Sequence, residues 1–175
     1  MAAALGFLSL TDFHAQYDGQ KPTYEYWFGE AIQKSMPTGL HGIIQIVLGH
    51  LFLRAGWKCA GEVRLKLSRF AEPVPDLIAD PGRIDPRYPT EPIALAIEIL
   101  SPSDSLAAAV RKCAHYLDWG IGCAWIIDPE RSVAYQMSID RPEPAVIGLD
   151  GALTVSDLRI ELRELFDLVA QNVRQ

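Results

Sequence analysis

The sequence predicts a mixed α/β fold in which a β-sheet lies between helices. Residues 93–100 form an apolar run interrupted only by Glu98, as expected for a central strand covered on both faces. Residues 40–52 carry apolar side chains at helical spacing, and residues 158–173 show a second amphipathic pattern. With 175 residues, of which 49% are hydrophobic and 22% charged, the chain has room for one core. We therefore expect a single domain over residues 1–175.

The amino-terminal third contains a long stretch without charge, between Lys34 and Arg54. Only residues 40–53 of it are helix-like, about two-thirds of the roughly 20 residues that a bilayer requires. A buried core helix is therefore favoured over a membrane span. The elements predicted in this third are a helix capped by Thr11 and ending at Gly19, a hairpin of residues 24–28 and 31–34 around a Gly29-Glu30 turn, and a helix from Thr38 or Gly39 to Gly56.

The rest of the chain alternates short strands with two helices. Residues 62–67 alternate apolar and charged side chains, which predicts a strand with one face in solvent. The other predicted elements are strands at 75–79, 93–100, 123–127, 132–137 and 145–149, a helix from Ser103 or Asp104 to Trp119, and a helix over 158–173.

The charge of the chain limits how it can bind nucleic acid. A net charge of −6 excludes binding through bulk positive charge. Residues 54–87 form the only third with a positive balance, +2, so Arg64 and Lys66 either attract phosphate or form the solvent face of a strand. The three cysteines show no CxxC spacing, and the amino terminus shows no signal-peptide pattern. Both observations predict a cytoplasmic protein.

Glu98 is the strongest local anomaly in the sequence. A carboxylate inside an apolar strand costs several kcal/mol unless a cation, a basic side chain, a proton or water compensates it. A salt bridge to lysine or arginine is therefore as good an explanation as a functional site. Glu98 alone does not decide between them.

Asp76 shifts the balance towards a site. It begins a short apolar strand 22 residues before Glu98, and the intervening loop contains four prolines. If the two strands pair, both carboxylates converge at one end of the sheet, where they repel each other unless something neutralises them. Hard oxygen ligands completed by water are those that Mg²⁺ prefers. The sequence therefore predicts that Asp76 and Glu98 bind Mg²⁺ or Mn²⁺.

Lys112 lies 14 residues after Glu98, on the next predicted helix, with Tyr116 one turn further along the same face. A lysine there can orient water or offset charge that grows on a phosphate; the alternative is a solvent-exposed lysine like its neighbour Arg111. His41 and His50 are nine residues apart and do not share a helical face, which makes a zinc pair improbable. His115 adjoins the predicted site, where contact with substrate is the alternative to the favoured structural role. Trp57, Trp119 and Trp125 are better explained as core or interface residues than as base-stacking platforms.

Several segments together resemble the Uma-two family, whose members are grouped with restriction endonucleases in the PD-(D/E)xK nuclease superfamily. The resemblance spans about residues 10–170. Its most specific part is residues 75–129, and it also extends to the hairpin around Glu25 and to His41. The matching segments are Pro75-Asp76, the run from Glu98 to Asp104, Lys112, Tyr116, Gly120-Ile121 and the run from Trp125 to Pro129.

The resemblance implies a restriction-endonuclease-like fold, a divalent metal ion and hydrolysis of DNA phosphodiester bonds. By motif match, Asp76, Glu98 and the backbone carbonyl of Ile99 would bind the metal. Lys112 would be the catalytic lysine, and Glu25 an auxiliary catalytic acid. Leu100 stands where the superfamily usually has lysine, so any activity depends on Lys112 as its substitute.

Two other classes of function remain open from the sequence. One is a catalytically inactive module of the same fold that binds nucleic acid or a protein. The other is a structural module whose acidic groups form internal salt bridges. The apolar helix 40–53 and the aromatic hairpin around Trp27 further predict a homodimer.

Overall fold

The computed structural model describes residues 7–173, so both ends of the predicted 1–175 domain lie outside the described residues. The helices are α1 (Leu10–Tyr17), α2 (Gly39–Arg54), α3 (Leu106–Asp118) and α4 (Leu162–Asn172). The strands are β1 (Tyr24–Trp27), β2 (Glu30–Gln33), β3 (Lys58–Gly61), β4 (Ala71–Glu72), β5 (Leu77–Asp80), β6 (Leu95–Ile99), β7 (Cys123–Asp128), β8 (Val133–Ser138), β9 (Arg141–Ile147), β10 (Ala152–Val155) and β11 (Leu158–Glu161).

The main sheet has six strands in the order β3-β5-β6-β7-β8-β9. Its neighbouring strands are antiparallel except β6 and β7, which are parallel and connected through α3. A parallel pair requires such a crossover because the chain must return to the same end of the sheet. The mixed α/β fold and the interior position of β6 are thereby confirmed.

Alternation along β6 separates two apolar cores. Leu95, Ile97 and Ile99 pack into the core formed with α2 and α4. Ala96 packs into the opposite core, which includes Tyr116 and other residues of α3. Because side chains alternate between the faces of a strand, Glu98 shares the α3 side with Ala96. The period of the strand thus directs this carboxylate towards α3.

A second, smaller sheet has three strands. Its order is β2-β1-β4, and β1 and β2 form the predicted hairpin. A backbone hydrogen bond from Lys34 N to Thr23 O, 2.9 Å long, continues the pairing beyond the strands. The hairpin therefore fixes both Glu25 on β1 and Lys34 just after β2.

The predicted strand at residues 62–67 is wrong; the edge strand is β3, which ends at Gly61. The amide of Leu65 donates to Pro73 O and that of Lys66 to Pro89 O. Prolines have no N–H to return, so no ladder forms along this segment. The two basic side chains are also engaged within the chain: Arg64 pairs with Asp18, and the Lys66 ammonium lies 4.5 Å from the centre of the Tyr88 ring.

Three helix boundaries also differ from the predictions. Ser9, not Thr11, caps α1, and its hydroxyl accepts the amide of Asp12. Helix α3 begins at Leu106, because the Asp104 side chain turns back to accept the amide of Ser101. The predicted helix over 158–173 begins only at Leu162. Residues 158–161 form β11 instead, because Leu158 and Ile160 alternate into the core and pair with β10.

Helix α2 begins at Gly39, and Thr38 caps it, because the Thr38 hydroxyl accepts a hydrogen bond from the amide of His41. This start agrees with the prediction of Thr38 or Gly39. Its buried residues include Ile44, Leu48 and Phe52, so the prediction of a core helix is confirmed. Among residues 7–173, no helix has both the length and the apolar character required to cross a bilayer.

Candidate active site

Asp76 and Glu98 lie beside each other where β5 and β6 pair. Leu77 is opposite Ile97 in the antiparallel register, so the next position brings Asp76 next to Glu98. Asp76 is 4% exposed and Glu98 is 8% exposed. The predicted convergence of two buried carboxylates is therefore present in the structure.

Asp76 is surrounded by positive and donor groups. Its Oδ1 lies 2.9 Å from the Lys34 Nζ, and its Oδ2 accepts the amide of Ile99 at 2.7 Å. The Nε2 of His41 lies 3.5 Å from the same Oδ1. Burial would raise the pKa of Asp76, but His41 and the Lys34 ammonium outweigh it and lower that pKa well below its usual range. Asp76 is therefore ionised throughout the physiological pH range.

Glu98 is compensated less completely. Its Oε2 accepts from the Lys112 Nζ at 2.9 Å, and its Oε1 accepts from the Tyr116 hydroxyl at 2.6 Å. Burial dominates over the attraction of Lys112 and, with repulsion from Asp76 and Glu25, raises the pKa of Glu98 to about 7. The two neighbouring carboxyl groups thus differ in their readiness to ionise.

Lys112 bridges two carboxylates. Its Nζ lies 2.8 Å from Glu25 Oε1 and 2.9 Å from Glu98 Oε2. Burial would lower the pKa of Lys112, but Glu98 and Glu25 together raise it above its usual range. Glu25 is fixed in turn by the amide of Val74 at 2.7 Å and by the indole N–H of Trp27 at 3.0 Å. An ammonium has three N–H donors, so one of Lys112 can serve a further acceptor.

One cavity of about 590 Å³ lies beside these groups. The residues that line it include Glu25, Asp76, Glu98, Ile99 and Lys112. The structure therefore brings together all the site residues predicted from the sequence: Glu25, Asp76, Glu98, Ile99 and Lys112. Ile99 contributes its amide N–H to Asp76. Its carbonyl as a metal ligand stays a prediction.

Three further residues surround Asp76 that the sequence argument did not identify. The Lys34 Nζ lies 2.8 Å from Glu62 Oε2 and 2.8 Å from Val74 O, in addition to its contact with Asp76. His41, Glu62 and Asp76 present ligand atoms that all lie within 4.8 Å of one another. The available signals were that Lys34 borders the uncharged stretch, that His41 is a polar residue within it, and that the family resemblance extends to His41.

Aromatic rings line another wall of the cavity. Trp27, Phe28 and His115 all line it, and Phe28 is 46% exposed. The ring centres of Trp27 and His115 are 5.5 Å apart, and Trp119 stacks on His115 at 5.7 Å. Trp57 and Trp125 are buried in the core, as predicted. Trp119 is half-buried within this aromatic group.

The model of the Uma2 family, described as "Putative restriction endonuclease", matches residues 10–140. The chain belongs to this family, which confirms the resemblance seen in the sequence over a somewhat shorter range than residues 10–170.

A solved structure shares the fold. It is the crystal structure of "a putative nuclease belonging to DUF820" from Anabaena variabilis ATCC 29413. The match has a TM-score of 0.70 and 24% sequence identity, and it covers 86% of this chain and 93% of the other. No curated protein matches the chain.

Proposed function

We propose that the chain is a divalent-metal-dependent endonuclease that hydrolyses phosphodiester bonds of DNA. The observation that supports this most is the convergence of Asp76, Glu98 and Lys112 on one cavity. Separate secondary-structure elements supply these groups, and a purely structural salt bridge would not require all of them to line one open space. Family membership supports a nuclease independently of this geometry.

The charges of the site fit a bound cation. Glu25, Asp76 and Glu98 are three buried carboxyl groups, and Lys34 and Lys112 are the two ammonium groups in contact with them among residues 7–173. When Glu98 is ionised, the three carboxylates outnumber the two ammonium groups, because Glu25 and Glu98 share Lys112. Asp76, Glu98 and the Ile99 carbonyl would hold Mg²⁺ or Mn²⁺, since both ions favour oxygen ligands. Such an ion polarises a phosphoryl oxygen and lowers the pKa of water.

The side chains have distinct roles in this reaction. A water oxygen forms a bond to phosphorus while the bond to the leaving oxygen breaks. Lys112, held between Glu25 and Glu98, directs its remaining N–H donor at the attacking water or at a phosphate oxygen, where negative charge grows. Glu25 acts as the auxiliary acid that keeps this ammonium charged and in place.

Local features support contact with DNA despite the net charge of −6. Rings of Trp27, Phe28 and His115 line the cavity and can stack against bases, and exposed Arg111 lines it beside Lys112. A homodimer and a cytoplasmic location belong to the same proposal. For the dimer, exposed Ile46 and Leu53 on α2 offer apolar contact surface.

Cleavage of supercoiled plasmid and of labelled duplexes, with Mg²⁺, Mn²⁺ or EDTA, tests the proposal. We expect cutting only with metal, and a loss of about a thousandfold or more in the Asp76→Asn variant, because the isosteric amide removes a charged metal ligand. The matched control is Asp150→Ala, since Asp150 is 92% exposed and pairs only with Arg163 within the described residues.

The outcome separates the three classes of function. If the Asp76→Asn variant cuts DNA as fast as wild type does, Asp76 does not belong to the active site. Salt-sensitive DNA binding without cutting at any metal concentration would favour a binding module. Neither binding nor cutting, together with no thermal stabilisation by metal, would leave a structural module.

A further inference from the structure

We propose that His41, Glu62 and Asp76 form a second divalent-cation site, which the Lys34 ammonium occupies when no metal is bound. This site adjoins the proposed Asp76–Glu98 site through Asp76. It does not require that the chain cuts DNA. Three features support this site: a buried imidazole without a hydrogen-bond partner in the described part of the chain, a cluster of ligand atoms, and a lysine ammonium at the position of the cation.

His41 is the first observation. The residue is 5% exposed, and neither of its ring nitrogens has a hydrogen-bond partner among residues 7–173. Its Nε2 lies 3.5 Å from Asp76 Oδ1, near enough to favour the ionised form of that carboxylate, but this contact lacks the geometry of a hydrogen bond. Burying an unpaired polar group costs about 1–3 kcal/mol. A metal bound at Nε2 would supply the missing partner.

The donor cluster is the second observation. Ligand atoms of His41, Glu62 and Asp76 lie within 4.8 Å of one another, close enough to share one ion. Gln45 fixes this arrangement, because its amide donates to Glu62 Oε1 at 3.1 Å and to Asp76 O at 3.0 Å. Glu62 itself has φ +55°, a backbone conformation that favours glycine. The Glu62 side chain is held near Asp76 by its contacts with Gln45 and Lys34.

Lys34 shows that this position attracts positive charge. Its three donors are all used: Glu62 Oε2 at 2.8 Å, Val74 O at 2.8 Å and Asp76 Oδ1 at 2.9 Å. Lys112, by contrast, contacts two carboxylates and retains a donor. Burial would lower the pKa of Lys34, but Asp76 and Glu98 outweigh it and raise that pKa. Lys34 is therefore charged, and a metal must displace it.

The cavity provides room for that displacement. Lys34 lines the cavity together with Asp76 and His41, so its flexible side chain can leave Glu62 and Asp76 without leaving the site. One imidazole nitrogen and two carboxylates form a mixed donor set. Mg²⁺ strongly favours oxygen ligands, whereas Mn²⁺ accepts both donor types more readily. We therefore expect the site to favour Mn²⁺ over Mg²⁺.

The test measures Mn²⁺ binding by calorimetry and electron paramagnetic resonance, independently of DNA cleavage. The background is Glu98→Gln, which removes a ligand of the first site only. We expect this variant still to bind Mn²⁺. Adding Lys34→Met should tighten Mn²⁺ binding about tenfold or more. In the protein with Lys34, Mn²⁺ can bind only to the fraction of molecules whose site the ammonium has left, and this lowers the apparent affinity. The control Lys58→Met, at an exposed lysine on β3, should leave the affinity unchanged.

Glu62→Gln probes the ligands directly and keeps the fold, because Glu62 is 44% exposed. We expect it to weaken Mn²⁺ binding about ten- to hundredfold in the Glu98→Gln background. Spin-echo modulation of bound Mn²⁺ should also show coupling to an imidazole nitrogen, and this measurement on unsubstituted protein decides the proposal if Lys34→Met does not fold.

Three results would overturn the second site. They are loss of all Mn²⁺ binding in Glu98→Gln, unchanged Mn²⁺ affinity in a folded Lys34→Met variant, and bound Mn²⁺ without nitrogen coupling. Each is independent of cleavage. An inactive protein that binds Mn²⁺ through His41 would contradict the nuclease proposal and leave this site intact.

Discussion

The Asp76 side and the Glu98 side of the cavity bury similar carboxyl groups with opposite results. Asp76 keeps its charge, because Lys34, His41 and the Ile99 amide all face it. Glu98 has its pKa raised to about 7 by burial, although Lys112 and Tyr116 donate to it.

Burial of Glu98 and the His41 contact with Asp76 dominate this difference, and the sharing of each lysine adds to it. Lys112 divides its charge between two buried carboxylates, Glu98 and Glu25. Lys34 shares its charge with Glu62, whose side chain is 44% exposed and therefore partly compensated by water. The Lys34–Asp76 and Lys112–Glu98 contacts are both 2.9 Å long, yet the pKa of Asp76 is lowered and that of Glu98 is raised. The surroundings of a buried ion pair, more than its length, decide which acid ionises.

Removing Lys112 should have the largest effect on stability. Lys112→Met leaves Glu25 and Glu98 buried without an ammonium, so we expect the free energy of unfolding to fall by about 3 kcal/mol. Urea denaturation in EDTA measures it. The neighbouring exposed residue provides a control, because Arg111→Met should change stability by less than about 0.5 kcal/mol.

A second substitution sharpens this result. In the double variant Lys112→Met with Glu98→Gln, one of the two uncompensated charges is gone. We expect part of the lost stability to return, which is the coupling that a double-mutant cycle measures. Strictly additive effects of the two substitutions would contradict the shared-lysine explanation.

Replacing each carboxylate by its amide compares the two sides directly. At pH 6 in EDTA, Asp76→Asn should lower the free energy of unfolding by about 2 kcal/mol, because a fully ionised group with charged partners is lost. Glu98→Gln should change it by less than about 1 kcal/mol, because this carboxyl already sits close to its neutral form. Equal losses in both variants would show that the two environments are equivalent.

The sequence identified both carboxyl groups, but it identified the partners of Glu98 only. Glu98 stands out because a charge interrupts an apolar strand, and Lys112 and Tyr116 follow from the spacing of the next helix. These signals are local, because they come from the alternation of side chains along a strand, the spacing of side chains along a helix, and the short segment that connects the two. The parallel crossover from β6 to β7 then brings helix and strand together without further information.

Lys34 and Glu62 carry no comparable signal. Lys34 reaches Asp76 across 42 residues, through the pairing of the β1–β2 hairpin and a proline-containing segment. Glu62 was expected on the solvent face of a strand, and its left-handed backbone conformation depends on how β3 ends. Such contacts depend on tertiary packing, which single-sequence patterns do not encode.

The pH dependence of stability should separate the two carboxyl groups. The folded chain keeps the Glu98 proton up to about pH 7, whereas the unfolded chain releases it near the ordinary value of 4.5. The contribution of Glu98 is therefore fully present below pH 4.5 and is lost as the pH rises to 7, by about 3 kcal/mol. Asp76 has a lowered pKa, so its contribution is lost only as the pH falls below 3.8.

Urea denaturation in EDTA between pH 4 and pH 8 measures this dependence for wild type and for Glu98→Gln. The difference between the two curves isolates Glu98. We expect wild type to lose stability relative to the variant over this range. A difference that stays constant with pH would mean that Glu98 is ionised at an ordinary pKa in the folded chain.

The smallest expected effect concerns the neutral partner of Glu98. Tyr116→Phe removes the hydroxyl that donates to Glu98 Oε1 at 2.6 Å, which should cost about 1 kcal/mol. The loss should be greater at pH 8 than at pH 5, because a hydrogen bond to an ionised acceptor is stronger than one to a neutral acceptor. Tyr135→Phe is the matched control, since Tyr135 is also buried and its hydroxyl makes no hydrogen bond within the described part of the chain. Equal losses for Tyr116→Phe at both pH values would indicate that its hydroxyl stabilises packing rather than the charge of Glu98.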